Sequence, residues 1–196
     1  PEYLTFQQTV NAGLAALAVA HPSAAIELEA MVWMQGESDT NSLAYANAYQ
    51  ANLMNFIADV RATFGSGLPF VIGRLSGGQT ANDAAGMAIV QAAQDAVAAS
   101  DRLTGIVNTD GFALKGDNLH FDADGQQSLG SAFAEESAYH SWMADTFSPA
   151  EIASDLGDPA ADRDCDGQTN RDEFLSGSDP LSAASFFRAS FRRTGP

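Results

Sequence analysis

The feature that most constrains this chain is the run Leu68-Pro69-Phe70-Val71-Ile72-Gly73-Arg74-Leu75, apolar almost throughout and preceded by Gly65-Ser66-Gly67. A strand with one wet face alternates polar and apolar side chains, whereas a strand covered on both faces does not. The run therefore reads as a buried strand of a parallel sheet, and its neighbours read as the covering helices. Residues 42–64 carry Leu43, Tyr45, Tyr49, Leu53, Phe56, Ile57 and Val60, spaced mostly by three or four, as a helix requires. Residues 25–34 and 103–108 read as further strands, the first becoming continuously apolar at Met31-Val32-Trp33-Met34. Helices are also expected over 3–20, 82–99 and 126–144. The first has Leu4, Val10, Leu14, Leu17 and Val19 roughly on one stripe and stops at His21-Pro22. Thr40 or Asn41 is the expected N-cap of the 42–64 helix, and Asp122 and Asp124 that of the last. Such alternation of helix and strand specifies an α/β fold. Three strands make either a small sheet or the C-terminal part of a larger one.

Charge limits what the chain can bind. Its 196 residues hold 9 basic and 25 acidic side chains, a formal net charge of −16. That excludes nucleic acid, whose phosphates demand Lys and Arg, and disfavours anionic membrane surfaces. Neutral substrates and cations remain compatible. The longest apolar stretch near the start, Gly13 to Ala20, is too short to span a bilayer, so no membrane insertion is expected. Cys165 stands alone, which rules out an internal disulfide framework and a four-cysteine zinc site. The charge is also uneven. Residues 1–150 hold sixteen acids against four bases, while the next thirty hold nine acids against two arginines. A boundary is expected near Ser148-Pro149, dividing the chain into 1–147, 148–182 and a short segment, 183–196.

Asp162-Arg163-Asp164-Cys165-Asp166-Gly167-Gln168-Thr169-Asn170-Arg171-Asp172-Glu173 fits the twelve-position calcium loop. Side-chain oxygens of Asp162, Asp164, Asp166, Asn170 and Glu173 stand at positions 1, 3, 5, 9 and 12. Gln168 offers its backbone carbonyl at position 7, and Gly167 makes the sharp turn at position 6. A hard cation wants six or seven oxygens at short range, and mutual repulsion keeps the carboxylates apart until it arrives. The expected cofactor is thus a structural Ca2+, with none needed for catalysis. Cys165 falls at a position that is not a ligand.

Two other segments look chemical. Trp33-Met34-Gln35-Gly36-Glu37-Ser38-Asp39 leaves the C-terminal end of a strand, the edge where parallel α/β sheets bind ligands. Asp117-Asn118-Leu119-His120-Phe121-Asp122 lies between the last strand and the last helix. An Asp three residues before a His can orient the imidazole through one ring nitrogen and leave the other as general base.

Together these blocks resemble the SGNH (GDSL-type) hydrolases, and more closely their sialate O-acetylesterase and carbohydrate esterase family 6 branch. The likeness covers about 1–142. It implies a flavodoxin-like three-layer α/β/α fold and serine-type hydrolysis of acetyl esters on an acetylated carbohydrate, such as xylan or sialic acid. His120 matches the family's general base and Asp117 its orienting acid. Glu37 competes with Asp117 for that acid role, and Gln35 and Gly36 match the oxyanion or substrate block. The family places its nucleophile upstream, in a Gly-x-Ser block after the first strand. Ser23 has the wrong context and Ser76 is only an imaginable substitute. The first strands and the serine are therefore expected before Pro1, and this chain alone is expected to be inactive.

Residues 155–182 resemble single EF-like, thrombospondin type 3-like or dockerin-like calcium repeats of secreted bacterial enzymes. That implies a secreted, periplasmic or cell-surface location. The alternative reading is a non-catalytic, calcium-dependent interaction module carrying an esterase relic. His21 reads as a helix-end residue and His140 as a surface or satisfied histidine. Phe186, Phe187 and Phe191 read as the start of a truncated further segment.

Overall fold

The computed structural model describes residues 2–187. Helix α1 (Glu2–Ala20) leads to strand β1 (Met31–Met34), a 3-10 turn (Asp39–Asn41) and helix α2 (Leu43–Phe64). Strand β2 (Phe70–Gly73), helix α3 (Ala84–Ser100), strand β3 (Thr104–Val107) and helix α4 (Ala123–Thr146) follow, and the short helices α5 (Pro149–Ala153) and α6 (Asn170–Ser176) close the described chain.

The three strands form one parallel sheet in the order β1-β2-β3, with Met31 opposite Phe70 and Phe70 opposite Thr104. Residues Phe70 and Ile72 of β2 join Leu53, Ile57, Val60, Val90 and Val97 in the core under α2 and α3. The intervening Val71 joins Val107, Phe121 and Leu129 under α4. This period of two buries both faces of β2, and the fold is the expected three-layer α/β/α. Every β2 side chain is buried, as the uninterrupted apolar run required.

β1 departs from expectation. Only Met31–Met34 of the 25–34 segment is strand, because β2 offers just four partners. As the edge strand it is only partly covered, and Val32, on the α4 face opposite Val71, stays 45% exposed. α1 corrects the sequence reading too. None of its residues is buried, and Leu4, Leu17 and Val19 of the proposed stripe are exposed. It docks through Tyr3 and Phe6 on Phe56 and Phe64, with the Tyr3 hydroxyl 2.9 Å from Thr63 Oγ1. The N-cap of α2 is Ser42, not Thr40 or Asn41, which are taken up by the 3-10 turn. Asp122 does cap α4, accepting from the Gly125 N–H at 2.9 Å.

The boundary region is packed. Ile152 of α5 and Phe174 of α6 lie against Tyr139, Met143 and Phe147 at the end of α4. His140 is nearly buried there, with Nε2 3.2 Å from Glu136 Oε1. Phe186 and Phe187 are exposed, and Phe191 lies outside the described residues. Among the described residues no helix is long and apolar enough to cross a membrane.

The start of α3 seats directly on the 3-10 turn. A Cβ at Gly86 would fall 1.8 Å from the carbonyl oxygen of Thr40, a backbone atom that cannot rotate away. Gly86→Ala is expected to lower stability by roughly 1–3 kcal/mol or more. A urea midpoint unchanged from that of the parent would contradict this seating.

Candidate active site

Because all three strands run in parallel, the segments leaving their C-terminal ends meet at one edge, where open α/β sheets bind ligands. β1 delivers Gln35-Gly36-Glu37, β2 delivers Arg74 to Gln79, and β3 delivers Asn108 to Asp110 and the segment beyond.

That last segment is a small hairpin rather than a helical turn. Leu114 bridges Phe121 in antiparallel fashion, and the Lys115 N–H donates to the His120 carbonyl at 2.8 Å. Gly116, Asp117 and Asn118 are turn-forming residues, and Asn118 takes the left-handed φ of 51° that asparagine tolerates. Folding the tip this way makes Asp117 its own hub. Its Oδ1 accepts the backbone N–H groups of Leu119 and His120, both at 3.0 Å, and its Oδ2 lies 2.8 Å from His120 Nδ1. The hydrogen bond from the His120 ring, reinforced by the His120 and Leu119 amides, holds the Asp117 carboxyl well below the usual carboxylate range. An ionised Asp117 accepts only, so it assigns the proton to Nδ1 and leaves Nε2 as the basic nitrogen. Among the described residues His120 Nε2 has no hydrogen-bond partner, and the side chain is 65% exposed.

Asp117 and not Glu37 therefore bonds the His120 ring. Glu37 is instead joined to the dyad indirectly. Gln79, 2% exposed, donates from Nε2 to the Leu119 carbonyl at 2.8 Å and to Glu37 Oε1 at 3.4 Å, while its Oε1 accepts the Ser76 N–H at 2.9 Å. This one amide ties the three strand-end segments together. Sequence reading passed over Gln79, since a lone glutamine in a loop carries no signal before the chain folds. Ser76, the imaginable substitute nucleophile, makes no bond to His120 among the described residues. It is 1% exposed, and its hydroxyl accepts the Gly78 N–H at 3.1 Å.

The Gln35 block is rigid. Its side-chain Nε2 donates to Asp39 Oδ2 at 2.7 Å, and its carbonyl accepts from the Tyr49 hydroxyl at 2.8 Å and from Gln94 Nε2 at 3.1 Å. Burial pushes the Tyr49 hydroxyl up to about 12, so it donates at every ordinary pH. Gly36 has φ 135°, and a Cβ there would lie 3.0 Å from Val90 Cγ1, so this position is reserved for glycine on two counts. A cleft of about 420 Å³ beside the block is lined in part by Trp33, Gln35, Asp39, Tyr49 and Asn52.

The acidic loop is a separate construction. Asp162, Asp164 and Asp166 can place one carboxylate oxygen each within 4.8 Å of one another. Gly167 turns at φ 96°, and its N–H donates to Asp162 Oδ2 at 2.9 Å. Asn170 and Glu173, later in the same loop, are fully buried. Burial, with Asp164, Asp166 and Asp162 nearby, pushes the Glu173 carboxyl up to about 7. The Gln168 side chain is engaged elsewhere, with Nε2 3.3 Å from Asp166 Oδ2 and Oε1 accepting the Phe187 N–H at 3.2 Å. That leaves only its backbone carbonyl for a ligand. Cys165 is exposed and points no donor at the carboxylates.

A profile of the family described as carbohydrate esterase, sialic acid-specific acetylesterase, matches residues 5–139. No curated protein matches the sequence. Among solved structures, an Arabidopsis thaliana protein determined by X-ray crystallography is similar, with a TM-score of 0.50 and 28% identity. That match covers 57% of this chain and 44% of the plant protein, so this chain spans less than half of its length. The family match takes in all three strands, the Gln35-Gly36-Glu37 block and the Asp117–His120 hairpin, and it stops before the acidic loop. On that match, extending over more than half of its residues, the chain belongs to the sialic acid-specific acetylesterase family of carbohydrate esterases.

Proposed function

We propose that His120 and Asp117 form the base half of a serine acyl-transfer site that removes acetyl groups from carbohydrates. The observation that carries this is the hydrogen-bonded dyad itself, at the ligand-binding edge of the sheet with its Nε2 free. Among the described residues no serine hydroxyl bonds to His120, and the proposed nucleophile is a serine outside residues 2–187. The longer plant relative supports that reading, since more than half of it has no counterpart in this chain.

On this reading the steps are those of serine acyl transfer. His120 Nε2 takes the proton from the serine hydroxyl as its oxygen attacks the acetyl carbonyl. The imidazolium, stabilised by Asp117 at Nδ1, then gives that proton to the departing sugar oxygen, leaving an acetyl-enzyme. Water attacks the acetyl-enzyme, His120 takes a proton from it, and acetate leaves as the serine is reprotonated. Gln35 and Gly36, just past β1, are the proposed oxyanion or substrate block, in which fixed donors would lower the energy of an oxyanion.

The charge of the edge favours a neutral glycan. Glu37, Asp39, Asp110 and Asp117 line it, and Arg74 is paired with Asp95 at 2.9 Å and faces Asp110 at 3.7 Å. A sialic acid carboxylate would meet mostly like charge there.

In the full-length protein, His120→Ala is expected to lower aryl acetate hydrolysis on the order of 10³-fold or more. Asp117→Asn should approach that loss, because an amide no longer fixes the imidazole tautomer. Undiminished turnover in His120→Ala would sink the assignment. Acetate release from acetylated xylan should exceed that from an O-acetylated sialic acid, and the reverse ranking would refute the neutral-glycan preference.

A further inference from the structure

The residues of the acidic loop contain an unmet demand for positive charge. Three side-chain oxygens, Asp164 Oδ2, Asn170 Oδ1 and Glu173 Oε2, are buried and have no hydrogen-bond partner. Asn170 and Glu173 are both 0% exposed. The Asn170 orientation is not arbitrary, because its Nδ2 donates to the carbonyls of Leu156 at 2.7 Å and Asp158 at 2.9 Å. That leaves the amide oxygen, not an N–H, as the atom without a partner. Native structures rarely strand buried acceptors, and a buried carboxylate is costly without a counter-charge. Every unmet acceptor here is an oxygen; the loop's unpartnered nitrogen, Arg163 Nε, is a donor on a cationic group and cannot ligate a cation. Such a set suits a hard cation that takes six or more oxygens, as calcium does, rather than zinc or copper.

The same stretch of chain holds the esterase layer. Along α6, Asn170 and Glu173 belong to the loop, while Arg171 and Phe174 turn to α4. Arg171 Nη2 lies 2.5 Å from Glu135 Oε1 and Nη1 3.8 Å from Glu136 Oε2, and its guanidinium sits 4.9 Å over the Tyr139 ring. Phe174 meets Tyr139 edge-on at 5.4 Å and Trp142 at 5.6 Å. From the other side, Arg102, just ahead of β3, pairs with Asp155 and with Asp158 at 3.0 Å.

We propose that the loop binds one calcium ion through Asp162, Asp164, Asp166, the Gln168 carbonyl, Asn170 and Glu173, and that the ion braces the C-terminal half of α4. Fixing residues 170 and 173 fixes the alternating residues 171 and 174 that clamp the helix. The ion is therefore part of the esterase fold, not the property of a detached appendage. The proposal is independent of the acyl-transfer reading and survives if that reading fails.

The test uses the full-length protein, stripped with EDTA and titrated with CaCl2, with MgCl2 as control. Calorimetry should find one calcium per chain, and saturating calcium should raise Tm on the order of 5 °C. In a Trp33→Phe background the emission of Trp142, the remaining tryptophan of this chain, should shift on calcium addition. Glu173→Gln should abolish the binding heat, and Asp164→Asn gives a second route should Glu173→Gln not fold. Arg171→Ala removes no ligand, so it should keep the stoichiometry but show a smaller Tm gain. Absence of binding to the parent protein overturns the site. Binding that moves neither Tm nor the Trp142 emission overturns the brace.

Discussion

The structure depends on one buried amide. Gln94, fully enclosed in α3, accepts the Leu75 N–H at 2.9 Å and donates towards Gln35 O, Tyr49 Oη and Gly73 O at 3.1 to 3.4 Å. Strand ends leave backbone groups without ladder partners, and burying them unpaired costs about 1–3 kcal/mol each. Gln94 satisfies the ends of β1 and β2 from a single side chain, and Tyr49 of α2 completes the network. The core below it can therefore stay apolar while the edge above it turns polar.

Gln79 repeats this arrangement nearer solvent. Where Gln94 sets the bases of the β1 and β2 loops, Gln79 sets their tips relative to the hairpin that carries Asp117 and His120. The dyad needs little outside help once the hairpin has formed, since Asp117 draws its partners from the three residues that follow it. Its place in the molecule comes from Gln79, the Leu114–Phe121 bridge and the Asp122 cap of α4. Local turn chemistry thus makes the Asp117–His120 pair, and long-range amide bonds place it.

At the opposite end of α4 the aromatic cluster of Tyr139, Trp142, Phe147 and Phe174 joins the acidic loop to the sheet layer. The charge that makes the chain so acidic is concentrated there, on residues that carry unmet acceptors and face one another. Three arginines, Arg102, Arg163 and Arg171, answer it from outside by pairing with Asp155, Asp158, Glu151, Glu135 and Glu136. None of them pairs with Asp162, Asp164 or Asp166.

The sequence by itself determined the element order, the parallel sheet and the dyad. Uninterrupted apolar runs specify strands buried on both faces, and an Asp three residues before a His needs only a tight turn to make their bond. It could not fix where β1 starts, because strand length depends on what the neighbouring strand offers, and β2 offers four residues. Nor could it show that the stripe on α1 stays exposed, since apolar spacing says which side chains share a face but not whether anything packs on it. The burial of Ser76 and the bonds that Gln79 and Gln94 make across the sheet edge were decided by tertiary structure alone. Each depends on contacts between segments far apart in the chain, and no local pattern of residues encodes a distance across the fold.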